Sequence, residues 1–153
     1  MYAPASPFNR PIPAGARALS GVYRQVGVET SVANASPHEL VKLLFDGLFD
    51  ALAQAKGAIQ AKDYQTKARA MDRALRIIDE GLKASLDRQQ GGELAANLHD
   101  LYGYVSLRLI QANLRDDLSA LAECATLMTP IREAWNALPA EVRGTSQPKE
   151  MMA

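Results

Sequence analysis

Apolar residues in this chain recur at intervals of three and four through several long stretches, and no segment alternates with the period of two that a half-buried strand needs. A helix turns once every 3.6 residues, so that spacing lays an apolar stripe along each helix and commits it to pack against other helices. A chain patterned in this way has few choices besides a helical bundle.

The signals that start and stop each helix are explicit. Ser36, Pro37 and Glu39 supply an N-cap, a proline at the first helical position and a capping-box partner. Val41, Leu44, Leu48, Leu52, Ala55 and Ile59 follow as the stripe, widened by Leu40, Leu43, Phe45 and Phe49. Asp63 is the expected cap of a second helix running to about Arg88, with Tyr64, Ala68, Met71, Leu75, Ile78, Leu82 and Leu86 inward. Gly91-Gly92 reads as a tight antiparallel turn. The third stripe is Leu94, Leu98, Leu101, Val105, Leu109 and Ala112. Asp116 or Asp117 caps a fourth helix with Leu118, Leu121, Ala125, Met128, Ile131, Trp135 and Leu138 inward, and Thr129-Pro130 is expected to interrupt and kink it. The fold expected is all-α: an antiparallel up-down four-helix bundle over 36–138 with a short N-terminal helical arm. Residues 1–35, rich in Pro and Gly, form the arm, whose Leu19, Val22, Tyr23 and Val26 make a short amphipathic piece near 18–27. Residues 139–153 are expected to be a loose tail.

Composition excludes several functions. Lys plus Arg equals Asp plus Glu at 17 each, so no concentrated positive charge stands ready to displace counterions from nucleic acid. Cys124 is single, the first residues hold no secretory apolar core, and no apolar run approaches bilayer length; the cytoplasm is the expected compartment. The histidines, His38 and His99, follow Ala35 and Ala96 at the positions where a di-iron bundle would need glutamates. His38-Glu39 lacks the second histidine of a metalloprotease, because Lys42 stands there. Gly91-Gly92 lacks the residues of a phosphate loop, and Cys124 sits at helical spacing from Leu121 and Met128 as a core residue does. The chain is therefore expected to be no enzyme and to need no cofactor or metal.

Two helices carry a further apolar row. On the third, Ala96, Gly103, Leu107, Ile110 and Leu114 lie opposite the stripe. On the second, Ala70, Ala74, Ile77, Gly81 and Ala84 form a row of mostly small residues. If neighbouring, the rows border one shallow groove fit for an amphipathic partner helix, with the arm of Leu19, Val22, Tyr23 and Val26 as its competing cover. A structural homodimer is the alternative use of the same rows.

Several stretches resemble the flagellar secretion chaperone family, FliS. Tyr23-Arg24-Gln25-Val26 resembles the family's N-terminal tyrosine motif, and Ala35 to Leu40 followed by Leu44-Phe45-Asp46-Gly47 resembles its first-helix entry. Gly91-Gly92-Glu93-Leu94-Ala95-Ala96-Asn97-Leu98, running into Leu101-Tyr102-Gly103-Tyr104, is the most specific match, and Arg132-Glu133-Ala134-Trp135 resembles the end of the last helix. The resemblance implies a cytoplasmic four-helix chaperone that takes up the disordered C-terminal segment of flagellin, prevents its polymerisation and assists delivery to the type III export gate. It also implies that Tyr23 anchors the arm, in a family where that arm has been tied to export-gate docking.

Overall fold

The computed structural model describes residues 35–138. In them α1 spans Pro37–Ala61, α2 spans Tyr64–Arg76 and runs on as a π-helical stretch over Ile77–Leu82, α3 spans Arg88–Arg115, and α4 spans Leu118–Ala137. Each helix packs on the one before it, and α4 closes the ring against α1.

The start of α1 is the one its sequence encodes. Ser36 is extended, and its Oγ accepts the Glu39 N–H at 3.2 Å, while Pro37 removes a donor that would otherwise go unsatisfied. The turns α1–α2 and α3–α4 share one design. Lys62 and Asp116 each enter the left-handed region, with φ of 59° and 51°, and reverse the chain. The next residue is an aspartate whose carboxylate caps the following helix. Asp63 accepts the Thr66 N–H at 3.1 Å, and Asp117 accepts those of Ser119 and Ala120 at 2.9 and 3.2 Å. Lys67 stitches the two turns together, donating to the Asn113 carbonyl at 3.0 Å and to Asp116 at 2.5 Å.

The α2–α3 connection departs from expectation. α2 stops at Leu82 rather than near Arg88, and Asp87 caps α3 by accepting the Gln89 and Gln90 N–H groups. The reversal thus falls before Gly91-Gly92. Gly92 still breaks the winding: at φ 54° and ψ −128° it adopts a conformation open to glycine, and offsets the first turn of α3 from the rest.

The second correction concerns the small-residue row of α2. Ala70, Ala74, Ile77 and Gly81 lie in the core, each nearly or wholly sealed from solvent, and only Ala84 is exposed. The reason is a close approach of α1. A Cβ built on Gly81 would stand 2.9 Å from Leu44 Cδ1, and one on Gly47 would stand 3.3 Å from Ile77 Cδ1. The missing side chain of Gly81 admits that of Leu44 on α1, so the row serves the bundle and leaves no groove there. Tyr64, Ala68, Leu94, Leu118 and Leu138, expected inward, are exposed. Pro130 does not end α4, which runs through it to Ala137. The core of Leu44, Phe45, Leu48, Met71, Ile78, Leu82, Val105, Leu109, Cys124 and Met128 is sealed.

Replacing Gly81 by valine forces carbon into a space already held by Leu44. Overpacking of this kind costs about 1–3 kcal/mol. A lowered midpoint in thermal unfolding is expected, and an unchanged one would show that α1 and α2 are less tightly set.

Candidate partner-binding surface

Among the described residues, α3 carries most of the large apolar side chains that are exposed. Its inner face, Tyr102, Val105, Leu109 and Ala112, is buried. On the flank toward α2, the buried Ser106 hydroxyl donates to Asp79 at 2.9 Å, and Asp79 pairs with Lys83 at 3.3 Å. On the flank toward α4, the Tyr104 hydroxyl donates to Glu123 at 2.6 Å and Arg108 Nε donates to the same carboxylate at 2.8 Å. Arg108 also reaches the Gln111 side-chain oxygen at 2.5 Å.

Between these polar flanks the helix turns an apolar edge outward. Leu107, Ile110 and Leu114 are 52%, 44% and 77% exposed, large for aliphatic side chains aligned on one face. Gly103 and Ala96 continue the edge toward the start of α3 and are half-buried. The row expected on α3 is therefore an open ridge, and its α2 counterpart is not part of it. Leu19, Val22, Tyr23 and Val26 lie outside the described residues.

Two apolar depressions were not anticipated. A cleft of about 390 Å³ opens where α1 begins and α4 ends, lined by Val41, Phe45, Leu86, Leu94, Leu98, Ile131 and Trp135 among others. A second groove of about 400 Å³ runs between α1 and α4 beside Phe49, Leu52, Leu118 and Leu121. The first is lined in part by Gln90, Gly91, Leu94 and Leu98, on either side of the break at Gly92, so no single-helix periodicity reveals it. Leu94, assigned inward by its spacing, lines that cleft and remains 65% exposed.

The titratable groups do structural work. The Tyr104 bond and then the Arg108 bond hold Glu123 below the ordinary carboxylate value, and the same bond to Glu123 raises Tyr104. Burial pushes Cys124 up to about 11 and Tyr102 up to about 12, so both stay neutral at physiological pH. Such a thiol is inert rather than nucleophilic. The His38 ring stacks on Trp135 with centroids 4.7 Å apart, and Trp135 Nε1 donates to the His38 carbonyl at 3.2 Å, joining α4 to α1. Among the described residues, no three His, Cys, Asp or Glu side chains converge as a metal site would need. No helix among them is long and apolar enough to cross a membrane. What the surface offers is apolar contact.

The model of the family "Flagellar protein FliS" matches residues 19–142, the whole described bundle and Tyr23 before it. The chain belongs to the FliS family. Similar proteins named flagellar secretion chaperone FliS come from several bacteria. The one from Salmonella typhimurium is 49% identical over 113 residues, covering 74% of this chain and 84% of the relative. That of Escherichia coli is 45% identical, covering 74% of this chain and 83% of its own. That of Bacillus subtilis is 36% identical, covering 70% and 78%. This FliS-family chain thus carries its exposed α3 ridge within the part that the family shares.

The α3–α4 lock has a pH signature. Glu123 titrates below its ordinary 4.5 when folded, so it binds fewer protons in the folded chain than in the unfolded one. Its contribution is fully present above about pH 4.5, the unfolded value, and is lost as the pH falls through the lower folded one. Glu123→Gln is expected to lower the unfolding midpoint at neutral pH and to narrow the drop on acidification. An equal drop in both proteins would remove Glu123 from the acid response.

Proposed function

We propose that this chain is a cytoplasmic export chaperone. It binds the C-terminal segment of flagellin, keeps it from polymerising prematurely and assists its delivery to the flagellar type III secretion apparatus. The observation that supports this reading is the ridge of Leu107, Ile110 and Leu114, left uncovered along α3 in a family whose curated members are named secretion chaperones. An apolar face of this kind suits an amphipathic helix laid along it. A client segment that is disordered when free orders itself on binding, so the chaperone needs apolar surface and no chemistry. The N-terminal residues around Tyr23 are assigned to covering the client surface and to contact with an export-gate protein.

Isothermal titration with a synthetic peptide of the organism's flagellin C-terminal segment tests the reading. Binding near one to one is expected, with a negative heat-capacity change from apolar burial coupled to folding. Leu107→Asp combined with Ile110→Asp should weaken binding by at least about a hundredfold while unfolding stays cooperative. A permanent dimer that takes up no peptide would instead favour a structural homodimer. Deleting residues 1–27 is expected to tighten peptide binding, as removal of a competing cover would; unchanged affinity and oligomeric state would count against such a cover.

A further inference from the structure

The opening turn of α3 is held mainly by its own atoms. Asp87 accepts the Gln89 and Gln90 N–H groups at 3.1 and 3.0 Å, and the Gly91 N–H donates to the Asp87 carbonyl at 2.7 Å. Gln89, Gln90 and Gly91 are exposed, so none of them anchors the turn in the core. Next stands Gly92, at φ 54° and ψ −128°, in a region that only glycine enters without strain. A segment bonded to itself, lightly anchored and joined to a long helix through one such glycine is built as a hinged flap is.

Two contacts show what the flap covers. On an unbroken helix, residues four apart keep their Cβ atoms about 5–6 Å from each other. A Cβ built on Gly91 would instead stand 2.7 Å from that of Ala95, so the bend at Gly92 folds the turn down onto Ala95, which is buried. Gln90 and Gly91 also form one wall of the cleft of about 390 Å³ that Phe45, Ile131 and Trp135 line from α1 and α4.

We propose that Gly92 is a hinge and that the turn before it, residues 87–91, is a movable wall of this cleft. In the bent state the turn lies on Ala95 and closes one side of the cleft. When Gly92 takes helical angles, α3 winds without a break, the turn lifts from Ala95 and the cleft loses that wall. The residues past Gly92 keep their winding and packing, and the turn between Leu82 and Asp87 takes up the change on the other side. Contact with Ala95 favours the bent state and helix winding the straight one, so a methyl group on either glycine shifts the balance. The device lies at the end of the bundle where α1 begins and does not rest on the client reading above.

The full chain supplies its own reporter, because Trp135 is its single tryptophan and lines the cleft. A bimane fluorophore placed on Gln90→Cys is quenched by tryptophan only at short range. Cys124, buried and with its thiol pushed up to about 11, does not compete for the label. In the bent state the label should be quenched, and should brighten when Trp135→Phe is added. Gly92→Ala removes the conformation that only glycine enters, and Gly91→Ala sets a methyl group against Ala95. Each should raise the label's emission at least about twofold in a chain that still unfolds cooperatively. Gly57→Ala, a change inside a helix with open space around it, should leave the emission as it was. Quenching that persists in both folded variants would overturn the hinge. So would a label that Trp135 never quenches, an equal gain in Gly57→Ala, or loss of folding in both variants.

Discussion

The close approach of α1 to α2 is the constraint on which the rest of the structure depends. Gly81 leaves Leu44 the space that a methyl group would take, and Gly47 does the same for Ile77. Ala70 and Ala74 widen the contact with side chains too small to hold the helices apart. Because two helices meet this tightly, Leu44, Leu48, Met71 and Ile78 close a core with no access to water. The π-helical turn over Ile77–Leu82 lies in the same region, re-phasing α2 where Gly81 meets α1.

That arrangement decides where apolar surface is left over. α2 lies between α1 and α3 and buries a broad arc of its circumference against both. α3 packs on α2 through the Ser106–Asp79 bond and on α4 through Tyr104, Arg108 and Glu123. With both flanks engaged and its inner face in the core, the face of α3 opposite the core has no neighbour within the bundle. Leu107, Ile110 and Leu114 occupy that face. The buried core, the helix caps and the flanking polar contacts hold the bundle together without the ridge.

The starts of α1, α2 and α4 were legible in the sequence because their caps are local chemistry. A Ser or Asp side chain meets N–H groups two or three residues on, whatever the rest of the chain does. The α2–α3 connection was less legible. Asp87 is as good a cap as Asp63, but the adjacent Gly91-Gly92 looked the stronger breaker, and only the winding at Leu82 separates the two. Pro130 was expected to interrupt α4, yet the helix continues through it, with Thr129 donating its hydroxyl to the Ala125 carbonyl at 2.7 Å within the same stretch.

By itself the sequence determined that the chain is helical, where most helices begin, and that α2 and α3 each bear more apolar residues than one narrow stripe. It did not determine which extra row turns inward. The angular geometry explains why the outcomes differ. At about 100° per residue, the row of Ala70, Ala74, Ile77 and Gly81 lies roughly a quarter turn from the Met71–Ile78–Leu82 stripe, near enough for one helix to bury both between two neighbours. The row of Gly103, Leu107, Ile110 and Leu114 lies about half a turn from Val105 and Leu109, and no helix in a four-membered ring can bury opposite faces at once. Periodicity places residues on a helix. Only the neighbours that the tertiary fold brings to that helix decide which of its faces meets water.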